Sequence, residues 1–375
     1  MKFIVSSKTL YSALQKAARV ISNKNSLPIL DCFKLGLQGN SLRIAAADHE
    51  MRLSTKVDVE NPNGNGEICI NAKNLTDALK ELPDQPLTFD IDDSTKEILI
   101  HYHNGKYNFV GQSADEYPIP KELDKTTRQQ FAIEAHTLEK VISETLFAVA
   151  DDELRPVMNN VYFDITPEDV TFVGSDGHRL IRIVSNDTKG ESRSSFLLPK
   201  KAANLLKALL PKQSDPVKIR YDLNNVVFDL TDLSITARMC EGRYPNYNSV
   251  IPQSSSLRVE LSRDILMAIV KRVSVFGNKA SNLVKFSLSP NKLTVSAQDI
   301  DFSTAAEETT DIDYGGQDFT IGFKSTFLIE LLANMPTSDI EIQMTEAGKA
   351  AVIVPTQNMA GYNHLSMIMP MMLND

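Results

Sequence analysis

The sequence predicts an α+β chain in which one structural unit, two amphipathic helices with a set of short antiparallel strands, is used three times. Three observations predict it. Aspartates in strand-ending turns recur at positions 48, 176 and 299, within Ala46-Ala47-Asp48-His49-Glu50, Val173-Gly174-Ser175-Asp176-Gly177-His178-Arg179-Leu180-Ile181 and Ala297-Gln298-Asp299-Ile300-Asp301, at offsets of 128 and 123 residues. Prolines that end helical patterns stand at 83, 211 and 336, at offsets of 128 and 125. The order of elements restarts twice, and a period held through a whole chain marks repetition. The expected units are 1–125, 126–253 and 254–375.

In the first unit, residues 2–5 read as a short strand. Ser6-Ser7 offers a cap for a helix to about residue 21, with Leu10, Leu14, Ala17 and Ile21 on one face. Leu27-Pro28-Ile29-Leu30 reads as the start of a series of strands reaching about residue 70. A second helix spans 71–82, carries Leu75, Ala78, Leu79 and Leu82 inward, and stops at Pro83. Residues 87–92 alternate with period two, and Asn104-Gly105 between alternating runs predicts a hairpin. Ala114-Asp115-Glu116-Tyr117-Pro118-Ile119-Pro120 closes the unit before a polar linker at 121–130. The second pass has helices at 135–149 and 199–210, a hairpin at Asn224-Asn225 and a closing Glu241-Gly242-Arg243-Tyr244-Pro245-Asn246-Tyr247. The third has helices at 262–276 and 324–335, strands around 292–304 and a hairpin near Gly348.

Charge is unevenly spread along the chain. The formal total is −9, which alone argues against nucleic acid as a partner. Yet the helical windows 6–21, 70–83, 134–149, 198–211, 261–276 and 321–336 hold 13 basic and 7 acidic residues, a balance of +6 that leaves −15 elsewhere. Amphipathic helices lay their apolar stripes on a sheet. The expectation is therefore a basic helical face opposed to an acidic sheet face, although window 134–149 is itself acidic. A basic face with no helix-turn-helix, zinc-finger or aromatic RNA-binding signature suits the phosphate backbone of a duplex, bound without sequence preference and with strong salt dependence.

The hydrophobic share of 42% is ordinary for a globular protein. Cys32, Cys69 and Cys240 match no metal spacing and read as reduced thiols of a cytoplasmic protein. Lys8, Lys16 and Arg19 interrupt any signal-peptide core, and no apolar run approaches membrane length.

Five stretches in register carry a resemblance that covers the full length. They are Met1-Lys2-Phe3, Leu27-Pro28-Ile29-Leu30, Ser175-Asp176-Gly177-His178-Arg179-Leu180, Gly242-Arg243-Tyr244-Pro245 with Tyr247, and Met369-Pro370-Met371. Together they resemble the bacterial β sliding clamp family, the processivity subunit of the replicative DNA polymerase. The resemblance implies a ring-shaped head-to-tail homodimer of clamp-type units around double-stranded DNA, helices on the inner face and antiparallel sheets on the outer face. It implies DNA contacts at Lys24, Arg155, Lys200 and Lys201. It implies a dimer interface between a hairpin edge with Tyr107 and Phe109 and a helix end with Val275 and Phe276. Closure after two copies requires such heterologous surfaces.

The resemblance also implies a groove for short peptide motifs of the polymerase, the clamp loader and repair polymerases. Its positions are Met158, Ser175, Gly177, His178, Arg179, Leu180, Pro245, Val250, Met367, Ile368, Met369, Pro370 and Met371. Methionines adapt to varied ligands, which suits a groove used in turn by many partners. The family often has Arg after Met-Pro-Met, where this chain has Met372.

No cofactor, nucleotide or metal is expected, since neither a Gly-x-Gly-x-x-Gly nor a P-loop pattern occurs. His101 and His103, on one face of a strand, read as solvent-facing rather than metal-binding. Two other classes compete with a DNA tether. One is a hydrolase using Asp176 and His178; the other is a repeat scaffold that never meets DNA. Retention on nicked circles separates the clamp from the scaffold.

Overall fold

The structure is a computed structural model and describes residues 1–22, 24–118 and 122–373. Ile119 and Pro120 of the unit-closing stretch and Lys121 of the linker fall outside the described residues. Six α-helices are present among the described residues: α1 (Ser7–Ala18), α2 (Ala72–Lys80), α3 (Ala135–Leu146), α4 (Lys200–Leu209), α5 (Arg263–Val273) and α6 (Ser325–Ala333). The chain divides into two compact units, one of residues 1–138 and 204–239, the other of 139–203 and 240–375.

Local chemistry sets the helix boundaries. Ser6 accepts the Thr9 N–H at the start of α1, Asn71 accepts the Asn74 N–H at the start of α2, and Ser262 caps α5. Several helices are shorter than the apolar periodicity suggests. The α1 helix ends at Ala18, so Ile21 is outside it, and α5 tightens into a 3₁₀ turn at Ser274–Phe276. Leu27-Pro28-Ile29-Leu30 is not the start of a strand. Pro28 opens a 3₁₀ turn, Pro28–Asp31, where its missing N–H leaves no bond unmade, and the strand begins only at Cys32. The hairpin near Asn104 pairs Tyr102 with Gly105, so His103 and Asn104 turn the chain, and neither has positive φ.

The first unit holds two antiparallel sheets. In the five-stranded one, Lys2–Ser6 and Pro86–Ile91 lie inside, and Gly105–Val110 forms an edge. The nine-stranded one is continuous because Met51–Asp58 pairs with Leu233–Arg238, Met51 opposite Ala237 and Thr55 opposite Leu233. Helices α1 and α2 pack together, and α1 lies on Met51–Asp58 and Ser41–Ala47, burying Leu10, Leu14, Ala17, Leu75 and Leu79.

The second unit repeats the device. Arg179–Ser185 pairs with Tyr362–Ile368 along its length, from Arg179 opposite Ile368 to Ser185 opposite Tyr362, which makes an eight-stranded sheet. Helices α5 and α6 pack together here. A four-stranded sheet ends on the edge strand Thr304–Asp311. The middle repeat thus contributes Val217–Tyr221, Asn225–Asp229 and Leu233–Arg238 to the first unit and Asn160–Ile165, Val170–Ser175 and Arg179–Ser185 to the second.

Cys32 and Cys69 are buried on neighbouring strands, and burial raises both thiols, Cys69 to about 12. Cys240 is partly exposed. Because the thiolate is the reactive form, one thiol per chain should react with a chromogenic disulfide reagent at pH 8 in the folded state, and three after denaturation. Two or more fast-reacting native thiols would contradict this packing.

Candidate functional site

The Asp176 turn joins the strands Val170–Ser175 and Arg179–Ser185. Asp176 Oδ1 accepts the N–H groups of His178 at 2.9 Å and Arg179 at 3.0 Å. Asp48 does the same for Glu50 at 2.8 Å and Met51 at 2.6 Å, and Asp299 for Asp301 at 3.0 Å and Phe302 at 3.3 Å. An aspartate that bonds its own backbone two and three residues on is a self-contained turn, and it recurs at all three positions. Gly177 has φ +91°, and a Cβ there would lie 3.1 Å from Arg155 Nη1, so both backbone and space favour glycine.

Arg179 runs inward from this turn. Its Nε donates to Asp176 Oδ2 at 3.1 Å, its Nη2 to the Phe147 carbonyl at 3.0 Å, and its Nη1 to Glu330. The guanidinium also lies 4.6 Å from the Phe327 ring centroid and 5.3 Å from that of Phe147. Asp176 therefore serves backbone and Arg179, while the His178 ring stacks on Phe327 at 6.1 Å. Among the described residues no hydrogen bond joins the Asp176 carboxylate to the His178 ring.

Beside the turn lies an apolar floor. Met158, Leu180 and Met367 are buried in one cluster with Val173, Leu197, Tyr244, Tyr247, Ile251 and Val352. Tyr244 stacks on Tyr162 with centroids 4.7 Å apart, and Tyr247 donates to Asp164 Oδ2 at 2.9 Å. Burial pushes both phenols, Tyr244 and Tyr247, well above their usual range. At the surface, Val250 and Met369 line a pocket of about 430 Å³ with Ile251, Gln253, Thr345 and Lys349. The chain end is tied across this region, with the Met369 N–H donating to the His178 carbonyl and the Met371 N–H to the Gly322 carbonyl, both at 2.8 Å.

The positions expected in a groove thus fall into three groups. Met158, Leu180 and Met367 form the floor. Gly177, His178, Pro245, Val250 and Met369 are exposed around it, and Pro370 and Met371 are half-buried. Ser175, Arg179 and Ile368 are buried in the single chain. Ile368 is buried as the last ladder residue opposite Arg179, and Ser175 Oγ donates to the Arg179 carbonyl at 2.8 Å. The Arg179 side chain is spent on the contacts above. In the single chain these three hold the wall in shape. Phe327 and Lys324, Nζ 4.4 Å from the Phe327 centroid, border the same turn and were not anticipated.

The expected DNA-contact residues occupy exposed or half-exposed positions. Lys24 follows α1 in an exposed loop. Arg155 donates from Nε to Asp152 Oδ2 at 2.8 Å and from Nη2 to the Asp176 carbonyl at 3.4 Å. The Arg155 hydrogen bond holds the Asp152 carboxyl below its usual range. Lys200 and Lys201 open α4, the first half-buried and the second exposed.

Tyr107 and Phe109 lie half-buried on the edge strand Gly105–Val110, whose Val110 is 75% exposed. In the second unit Val275 is 62% and Phe276 44% exposed, and the Phe276 carbonyl accepts from Thr304 Oγ1 at 3.1 Å, beside the edge strand Thr304–Asp311. Ile300 and Phe302, 81% and 79% exposed in the Asp299 turn, extend this apolar surface. Sequence reasoning passed over them because they read as turn residues.

Three family models match in order: the DNA polymerase III beta subunit N-terminal domain over residues 1–122, its central domain over 132–246 and its C-terminal domain over 248–372. The chain belongs to the DNA polymerase III beta subunit family. It is 27% identical over 376 residues to the beta sliding clamp of Haemophilus influenzae and 29% identical over 400 residues to that of Synechocystis sp., with 100% of both chains covered each time. Among solved structures it is similar to a sliding clamp from Pseudomonas aeruginosa bound to griselimycin, with TM-score 0.92, 24% identity and full coverage of both chains. The sliding clamp of Caulobacter crescentus gives TM-score 0.91 at 22% identity, again with full coverage. These likenesses show the fold, three clamp domains of helices and antiparallel sheets. Among the described residues no helix is long and apolar enough to cross a membrane, and no three metal-binding side chains gather.

Proposed function

We propose that the chain is a DNA sliding clamp, a non-catalytic processivity factor that closes as a homodimeric ring around double-stranded DNA. Family membership supports the class of function. The observation that supports closure is the pairing rule inside the chain. The strand after the first Asp turn, Met51–Asp58, pairs with the last hairpin strand of the second repeat, Leu233–Arg238. The strand after the second Asp turn, Arg179–Ser185, pairs with the last strand of the third, Tyr362–Ile368. What remains is the strand after the third Asp turn, Thr304–Asp311, and the last hairpin strand of the first repeat, Gly105–Val110, both sheet edges. A second copy can satisfy both by the same joint, head to tail, and a heterologous contact that closes leaves neither of these two edges open.

In this reading Tyr107, Phe109, Val275 and Phe276, with Ile300 and Phe302, form the interface. Lys24, Arg155, Lys200 and Lys201 contact phosphates without reading bases. The floor of Met158, Leu180 and Met367, entered past His178, Pro245, Val250 and Met369–Met371, takes short peptides of the polymerase, the clamp loader and repair polymerases. The ring works in the cytoplasm, with repeats near 1–125, 126–253 and 254–375. Sedimentation equilibrium tests closure: the expected mass is twice the 41.7 kDa of the chain. A monomer at micromolar concentration would overturn the ring.

A further inference from the structure

The chain builds the frame of the peptide groove twice. In the second repeat the frame is the 3₁₀ turn Pro156–Asn159, which supplies Met158, the Asp176 turn with Leu180 four residues on, and Tyr244-Pro245. The first repeat has the 3₁₀ turn Pro28–Asp31 with Leu30, the Asp48 turn with Arg52 four residues on, and Tyr117-Pro118. Strand register makes the two sets equivalent. Arg52 lies opposite Ala47 and Leu180 opposite Ser175, each partner directly preceding its turn aspartate. Across the joint to the following repeat, Arg52 is paired with Thr236 and Leu180 with Met367. Leu30 and Tyr117 are buried in one cluster, as Met158 and Tyr244 are in theirs.

The two frames differ most at one side chain. Leu180 is 2% exposed and forms part of an apolar floor, whereas Arg52 is half-buried. Arg52 Nη1 donates to the Pro118 carbonyl at 2.9 Å, and its guanidinium carbon lies 6.0 Å from the Tyr117 ring centroid. The arginine therefore reaches from the Asp48 turn to the Tyr-Pro segment, joining two walls that the leucine of the second repeat leaves unjoined. A long side chain of this kind covers apolar surface with its stem while its head stays bonded. A second tie crosses the same turn. Ser26 Oγ and His49 Nε2 share a hydrogen bond of 2.9 Å, and the second repeat has Gly177, with no side chain, at the position of His49.

We propose that Arg52 is a built-in occupant that closes the first-repeat copy of the groove and so confines partner peptides to the second repeat. The inference rests on the peptide-groove reading above and names the residue that decides which joint of the chain a peptide enters. A peptide entering at the first repeat has to displace a charge-assisted hydrogen bond and a cation–π contact, together about 10- to 100-fold in affinity. Partners then compete for one groove per chain instead of docking side by side on two.

The test uses an N-acetylated hexapeptide with two leucines and one benzoylphenylalanine, photo-crosslinked to the full chain and mapped by mass spectrometry. The parent should be labelled around Met158, Leu180 and Tyr244 and not around Leu30 and Tyr117. Arg52→Leu places the second repeat's side chain at this position, and Arg52→Ala empties it. Each should raise the label around Leu30 and Tyr117 by about tenfold or more and leave the second-repeat label unchanged. Because Arg52 is half-exposed, neither change removes a core side chain. Strong label around Tyr117 in the parent, or none there in either variant, overturns the closure by Arg52 and leaves the groove reading standing. A parent without label around Met158 and Tyr244 removes the groove reading, and the closure with it.

Discussion

Phe276→Asp should turn a stable two-copy assembly into a monomer. Phe276 is already 44% exposed in the single chain, so the change should move folding stability by no more than about 0.5 kcal/mol. At the proposed interface it replaces an aromatic anchor with a desolvated charge, and losing such an anchor costs about 2–4 kcal/mol. The dimer dissociation constant should therefore rise by about 30- to 1,000-fold, visible as a shift to monomer in a dilution series by sedimentation velocity. Phe109→Lys attacks the other edge and should do the same. Mixing the two variants should restore a two-copy species, because each retains one intact edge, yet that species has only one closed joint. If Phe276→Asp leaves the dissociation constant unchanged, the interface lies elsewhere.

Arg179→Met should destabilise the second unit more than any other change at the groove wall. The methionine fills part of the volume but leaves Asp176 without its buried partner and the Phe147 carbonyl without a donor. Removing one member of a buried, hydrogen-bonded ion pair costs about 3–5 kcal/mol. For a folding unit of this size the melting midpoint of the transition that reports the second unit should fall by about 6–20 °C in differential scanning calorimetry. Asp176→Asn should cost less, since the amide oxygen still accepts the His178 and Arg179 N–H groups. A midpoint for Arg179→Met within about 2 °C of the parent would mean that the network contributes nothing measurable.

What was legible in the sequence was local. Asp48, Asp176 and Asp299 each bond the backbone two and three residues ahead, so the turn is written in adjacent residues and survives in every repeat. Ser6 announces its helix for the same reason. What failed was non-local or depended on one residue. Pro28 turned an apolar run into a 3₁₀ helix that composition alone reads as a strand. The burial of Arg179 and Ile368 is not legible, because their partners arrive from far along the chain: Phe147, Glu330 and the ladder of Arg179–Ser185 with Tyr362–Ile368. Three domain models match in order along the chain, but the ladders Met51–Asp58 with Leu233–Arg238 and Arg179–Ser185 with Tyr362–Ile368, which join neighbouring repeats, pair segments far apart in sequence that no local pattern announces. Lys324 and Phe327 gave no signal, because a lysine and a phenylalanine three apart at a helix start are ordinary until the chain end and His178 are brought beside them.

The measurement that bears most directly on the account is retention on DNA of different topology. The chain is assembled on nicked circular plasmid with a clamp loader and ATP, then gel-filtered at high salt, where simple phosphate contacts dissociate. The account predicts that it elutes with the circle and is released when the plasmid is cut once. Elution of the chain away from the intact circle, or equal retention on the circle and the linear form, would contradict it.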